Sequence, residues 1–160
     1  MRSASPNPIG PADTGTRQRA YRLGMDTDAT RALVERFLDA RANNDAAAIE
    51  VVVADDVVWA PPVGAGMGTF EGRDAVVAAL TGGAAGSILK MDTVKRTVHK
   101  LVVEGDTAVA FQHMTAELVK GGTYSNEYAW RYTCADGKVT RLDEFADTLH
   151  AFKQMGLLKG

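Results

Sequence analysis

The chain has 160 residues, 46% of them apolar and 24% charged, with a formal net charge of -2, which is the balance of one ordinary globular domain with a core of its own. The longest apolar runs, "VVVA" and "AVVAAL", are far too short to span a bilayer, and Lys and Arg are scattered rather than striped, so neither membrane insertion nor nucleic-acid binding is expected. One cysteine, Cys134, can form no intramolecular disulfide, and His99, His113 and His150 lack zinc-type spacing; the expectation is a cytoplasmic protein without a metal site.

Residues 1–24 hold three of the five prolines, four arginines and a single acid, the composition of a flexible tail, and the folded domain is expected over 25–160. Thr27 or Asp28 can cap a helix in which Leu33, Val34, Phe37 and Leu38 recur at helical spacing. "NND" at 43–45 breaks and recaps it, "AAAIEVVV" predicts a short second helix, and "DDVVWAPP" an extended segment stopped by Pro61 and Pro62. The glycine-rich loop "VGAGMGTFEG" follows, then a third helix over "GRDAVVAALTGG". Glycines 64, 66 and 68 lack the spacing and context of a phosphate loop.

From Met91 the pattern turns to β-rich runs, "TVKRTVHKLVV", "TAVAFQHMTAELV", "TYSNEYAWRYTC" and "KVTRLDEFA", divided by "EGD", "KGG" and "ADG". Short glycine turns predict an antiparallel meander, and "DTLHAFKQM" a closing helix. Helices first and a meander afterwards define an α+β domain, with helices over one face of a curved sheet.

Three acids crowd the last strand, Asp143, Glu144 and Asp147, and strand alternation puts Asp143, Phe145 and Asp147 on one side and Glu144 on the other unless a bulge intervenes. Asp147 is the acid expected at a pocket wall, with Asp143 and Glu144 solvated or paired to Lys and Arg. Asp147 equally fits the N-cap of the closing helix, which would leave it a weaker base. His113 suits a proton shuttle if it faces inward and a sheet residue otherwise. Asn126, Tyr128, Trp130 and Tyr132 share one side of the third long strand and form either a polar aromatic pocket wall or packing. Trp59 marks a mouth, and Met67 and Phe70 a lid or an apolar anchor.

The capped first helix, "ADDVVWAPPVG", "FEGRDAVVAAL" and "NEYAWRYTCADGKVTRLDEFADT" occur in an order that resembles the nuclear transport factor 2-like fold and, within it, the SnoaL-like and ketosteroid-isomerase-like families. The resemblance implies a cone-shaped sheet around a pocket for a small hydrophobic ligand, and a homodimer through the outer sheet face. The isomerase base falls on Pro61 and its oxyanion tyrosine on Phe37, neither able to do that chemistry. Limonene epoxide hydrolase residues would fall on Trp59-Ala60-Pro61 and near Gln112-His113-Met114, which do not match. Only the acid at Asp147 carries over. The resemblance thus implies cofactor-independent acid/base chemistry by Asp147, a cyclisation or isomerisation, on a hydrophobic carbonyl compound; the residues themselves add His113 as the candidate proton shuttle, and the expected pocket lining is Phe37, Trp59, Met67, Phe70, Asn126, Tyr128 and Trp130. Epoxide opening and a non-catalytic binding or dimerisation domain are the alternatives.

Overall fold

A computed structural model of the chain describes residues 24–158; the tail expected over 1–24 lies, Gly24 apart, outside the described residues. Helix α1 (Thr27–Ala42) is capped by Asp26, whose extended backbone lets its carboxylate accept from the Ala29 amide at 2.8 Å, one residue before the caps the sequence suggests. Asn44 turns the chain with a φ of 53°, and Asp45 caps α2 (Ala46–Val52) by accepting from the Ala48 amide. Strand β1 (Val53–Ala60), the two-residue β2 (Phe70–Glu71) and α3 (Arg73–Leu80) follow.

The second half is the predicted meander: β3 (Lys95–Glu104), β4 (Thr107–Glu117), β5 (Thr123–Ala135) and β6 (Lys138–Ala146), closed by α4 (Thr148–Met155). The β5–β6 turn is built on Asp136 and Gly137, both with positive φ, the backbone twist that a two-residue hairpin favours. The six strands run in the order β2-β1-β6-β5-β4-β3; β1 lies parallel to β6 and the other pairs are antiparallel. The domain is α+β, with α1 against β3, β4 and β6 and α3 against β1.

Two apolar clusters fill the inside. The larger joins Leu33, Val34 and Phe37 of α1 to Val57, Trp59, Trp130, Tyr132 and Leu142 of the sheet. The smaller gathers Leu89, Leu118, Tyr124 and Ala151 toward α4. Irregularities in pairing fix which side chains look inward. Thr133 pairs Arg141 while Cys134 pairs Val139, so Thr140 is an extra residue on β6 and shifts the register by one. Beyond that bulge Glu144 stands opposite Trp130, and Asp143 opposite Arg131.

Candidate functional site

Between the two clusters lies a cavity of about 350 Å³, within the size range of sites for small organic molecules. Its β5 wall is the row Tyr124, Asn126, Tyr128 and Trp130; Trp59, Gln112 and Met114 add to the sheet side, and Leu80, Leu89, Ala151 and Phe152 close it with apolar surface. The β5 residues are neighbours in space because alternate positions of a strand share a face. Their hydroxyls and amide are linked: Tyr124 and Tyr128 share a hydrogen bond of 2.5 Å, and Asn126 Nδ2 donates to Tyr124 Oη at 3.3 Å and to the Asp147 carbonyl at 3.1 Å. Burial and the neighbouring Tyr124 push the Tyr128 phenol well above its ordinary range, so it serves as a neutral hydrogen-bond donor or acceptor.

Glu144 is the carboxyl of this cavity. Among the described residues it accepts one hydrogen bond, from Trp59 Nε1 at 3.1 Å. Burial raises its pKa to about 7, against the pull of Arg41, the Trp59 N–H and Arg96, because a desolvated carboxylate is disfavoured more than these neighbours restore. Trp59 is itself locked between rings, stacked on Phe70 at 5.0 Å and on Trp130 at 5.8 Å. Arg41, from the last turn of α1, is buried with its guanidinium 5.5 Å from the Trp130 ring centre. Desolvation, then the charge of Arg96, bring its pKa down to about 9. Arg96 enters from β3 and donates to the Arg41 carbonyl at 3.2 Å.

The structure corrects the assignment of the acids. Asp147 is exposed and outside the cavity lining; its carboxylate accepts from the His150 amide at 2.9 Å as the N-cap of α4. Asp143 points to the outer face, buried between Arg131 and Arg141 with oxygens 2.9 and 2.8 Å from their Nη2 atoms. His113 also lies on the outer face, opposite in parity to Gln112 and Met114 which line the cavity. Its Nδ1 is 2.7 Å from Glu127, its Nε2 is 3.2 Å from Ser125 Oγ, and His99 completes a cluster within 4.8 Å. Those two placements leave neither Asp147 nor His113 within the cavity.

Of the expected lining residues, Trp59, Met67, Asn126, Tyr128 and Trp130 line the cavity. Phe37 does not: it is buried in the core edge-on to Tyr132 at 5.4 Å. Phe70 is not a lining residue either, and supports Trp59 from behind. Arg41, Arg96, Gln112, Tyr124 and Glu144 were not among the expected residues. Alternation groups Glu144 with Leu142 without saying which side faces in; Arg41 and Arg96 had no signal, each being one cation in a helix or strand whose neighbours carry charges too.

With this geometry the chain can be set beside known proteins. The model of the SnoaL-like domain family matches residues 34–142, more than half of the chain, and the chain belongs to that family. Among solved structures, an NTF2-like protein from Burkholderia xenovorans LB400 is 23% identical, with a TM-score of 0.67 over 82% of this chain and 99% of that one. A candidate SnoaL-like polyketide cyclase from Jannaschia sp. CCS1 is 16% identical, with a TM-score of 0.71 over 83% and 95%. An LEH-like epoxide hydrolase from M. tuberculosis is 18% identical, with a TM-score of 0.65 over 82% and 92%. These likenesses define the fold as NTF2-like. No curated protein matches the chain at a significant level. Among the described residues no helix is long and apolar enough to cross a membrane.

Proposed function

We propose that the protein is a small-molecule enzyme in which Glu144 moves a proton next to a carbonyl group of a hydrophobic substrate, as a ring closure or an isomerisation requires. The observation that carries this reading is the Glu144 carboxyl, held at a pKa of about 7 in an apolar cavity, where a general base near neutrality is most effective. The ionised carboxylate takes the proton from the carbon beside the carbonyl, and the electron pair moves to oxygen as an enolate. The Tyr128 hydroxyl and the guanidiniums of Arg41 and Arg96 are the donors available to that oxygen. Glu144, now protonated, returns the proton to another carbon of the enolate in an isomerisation. In a ring closure the enolate carbon bonds to a second carbonyl of the substrate, whose π bond breaks, and the proton goes to the alkoxide so formed, so either step balances without a cofactor. Stacked Trp59 and Trp130 offer a flat guest an aromatic wall.

Epoxide opening, the activity named for the M. tuberculosis neighbour, would use the same carboxyl to activate water. It is the weaker reading, because Glu144 is the one carboxyl lining the cavity among the described residues, and a carboxylate that activates water leaves no second carboxylic acid there to protonate the epoxide oxygen. The test of the proton step is deuterium wash-in at the carbon beside the carbonyl of 2-tetralone, followed by NMR. The wild type should exceed buffer, with a rate that rises through pH 7 as Glu144 ionises, and Glu144→Gln should lose about 10²–10⁴-fold. A Glu144→Gln variant at the wild-type rate, or a wild type no faster than buffer, overturns the reading.

A further inference from the structure

The cavity contains more positive than negative charge. Arg41 spends Nη1 on the Leu80 carbonyl at the end of α3, and Arg96 spends Nη1 on the Arg41 carbonyl in the last turn of α1. A guanidinium has five N–H donors, so most of both forks is left for the cavity that they line. Among the described residues, neither guanidinium has a carboxylate within the 4.0 Å of an ion pair. Helix-end carbonyls carry partial charge and satisfy only one donor of each. Buried charges are normally paired, and two adjacent cations worsen each other's position, as the effect of Arg96 on Arg41 shows.

We infer that the missing partner arrives with the guest: the cavity selects a flat hydrophobic carboxylate, whose anionic group sits on the Arg41–Arg96 pair while its rings lie against Trp59 and Trp130. This rests on the reading of the cavity as a substrate site and narrows its substrate to a carbonyl compound that also carries a carboxylate, which takes the arginine pair and leaves the Tyr128 hydroxyl as the donor to the enolate oxygen. A planar guanidinium matches the two oxygens of a carboxylate, and the neighbouring indoles suit an aromatic body.

Seating an anion there also changes Glu144. The groups that face it are Trp59 from β1, Arg41 from α1, Arg96 from β3, and the neutral Tyr128 and Tyr132 from β5. A bound carboxylate offsets the two cations and adds a like charge, so the ionised form of Glu144 is less favoured in the complex, a fraction of a proton is taken up near neutral pH, and the base that acts is the ionised fraction, which grows as pH rises.

The experiment is calorimetric titration of the full chain with 2-naphthoate and with its neutral isostere 2-naphthamide, at pH 7.5 in two buffers of unlike ionisation enthalpy. The acid should bind at least tenfold more tightly than the amide, Arg41→Met and Arg96→Met should each remove most of that preference, and binding of the acid should draw a proton from buffer. Glu144→Gln should keep the preference and lose the proton uptake. An amide that binds as well as the acid, no measurable binding of the acid, or uptake that persists in Glu144→Gln overturns the inference. The acid–amide comparison is made on the unaltered chain, so it holds even where an arginine variant fails to fold. Deuterium exchange tests the proton step and the acid preference tests the anion seat, so the failure of one is told apart from the failure of the other.

Discussion

Asp143 and Glu144 are chain neighbours on β6 that look to opposite faces of the sheet. On the outer face Asp143 is gripped by two arginines, with Arg131 Nε and Nη2 and Arg141 Nε and Nη2 all within hydrogen-bonding distance. On the inner face Glu144 has one indole N–H, and its arginines act only across space. The outer carboxylate is neutralised by contact and is structural; the inner one is left short of partners and close to neutrality in its titration. Number and closeness of donors, rather than residue type, separate an acid that holds a fold from one able to exchange a proton.

The largest expected effect comes from removing the inner charge. The unfolded chain ionises this side chain near 4.5 and the folded one near 7, so folding carries no penalty below pH 4.5, loses stability from there to pH 7, and bears the whole cost above it. Glu144→Gln should therefore be more stable than wild type at pH 8 by up to about 3 kcal/mol and indistinguishable from it at pH 4, read by denaturant unfolding. Equal stability at pH 8 would remove the contrast between the two faces. Asp143→Asn should do the reverse. It abandons two arginines that are about half exposed, so the expected loss is about 1–2 kcal/mol, smaller in 1 M salt, with deuterium exchange unchanged. The smallest effect belongs to Trp59→Phe, which keeps an aromatic ring but deletes the donor that favours ionised Glu144. The limb of the pH–rate profile should move upward by less than about one unit; a downward move would mean that the indole is not a partner of the ionised form.

Much of the architecture could be read from pattern. Leu33, Val34 and Phe37 at helical spacing are all buried, and the meander follows from three glycine-bearing turns. On β5, Asn126, Tyr128 and Trp130 share the cavity face, while Tyr132 of the same alternating row is buried in the core. The acid did not. Alternation divides 142–147 into two sets without saying which set faces in, and counting back from the Asp136–Gly137 turn in regular register would set Asp143 against Trp130. Thr140 defeats that count, because a bulge is a property of pairing that residue identity does not announce. Its hydroxyl donates to the Thr133 carbonyl at 3.1 Å, a contact visible only once the strands are paired. Arg41 and Arg96 are 55 residues apart in the chain, and only the packing of α1 on β3 unites them.

The aromatic stack has a practical consequence. The chain has two tryptophans, and both are on the wall of the cavity, one hydrogen-bonded to its carboxyl and the other beneath its guanidinium. Tryptophan emission, excited at the red edge of the absorption band where tyrosine hardly absorbs, therefore comes wholly from the place where a guest would lie, with no distant indole to dilute the signal. The protein is its own optical probe, and an unlabelled sample in a fluorimeter can sort a compound library by what enters.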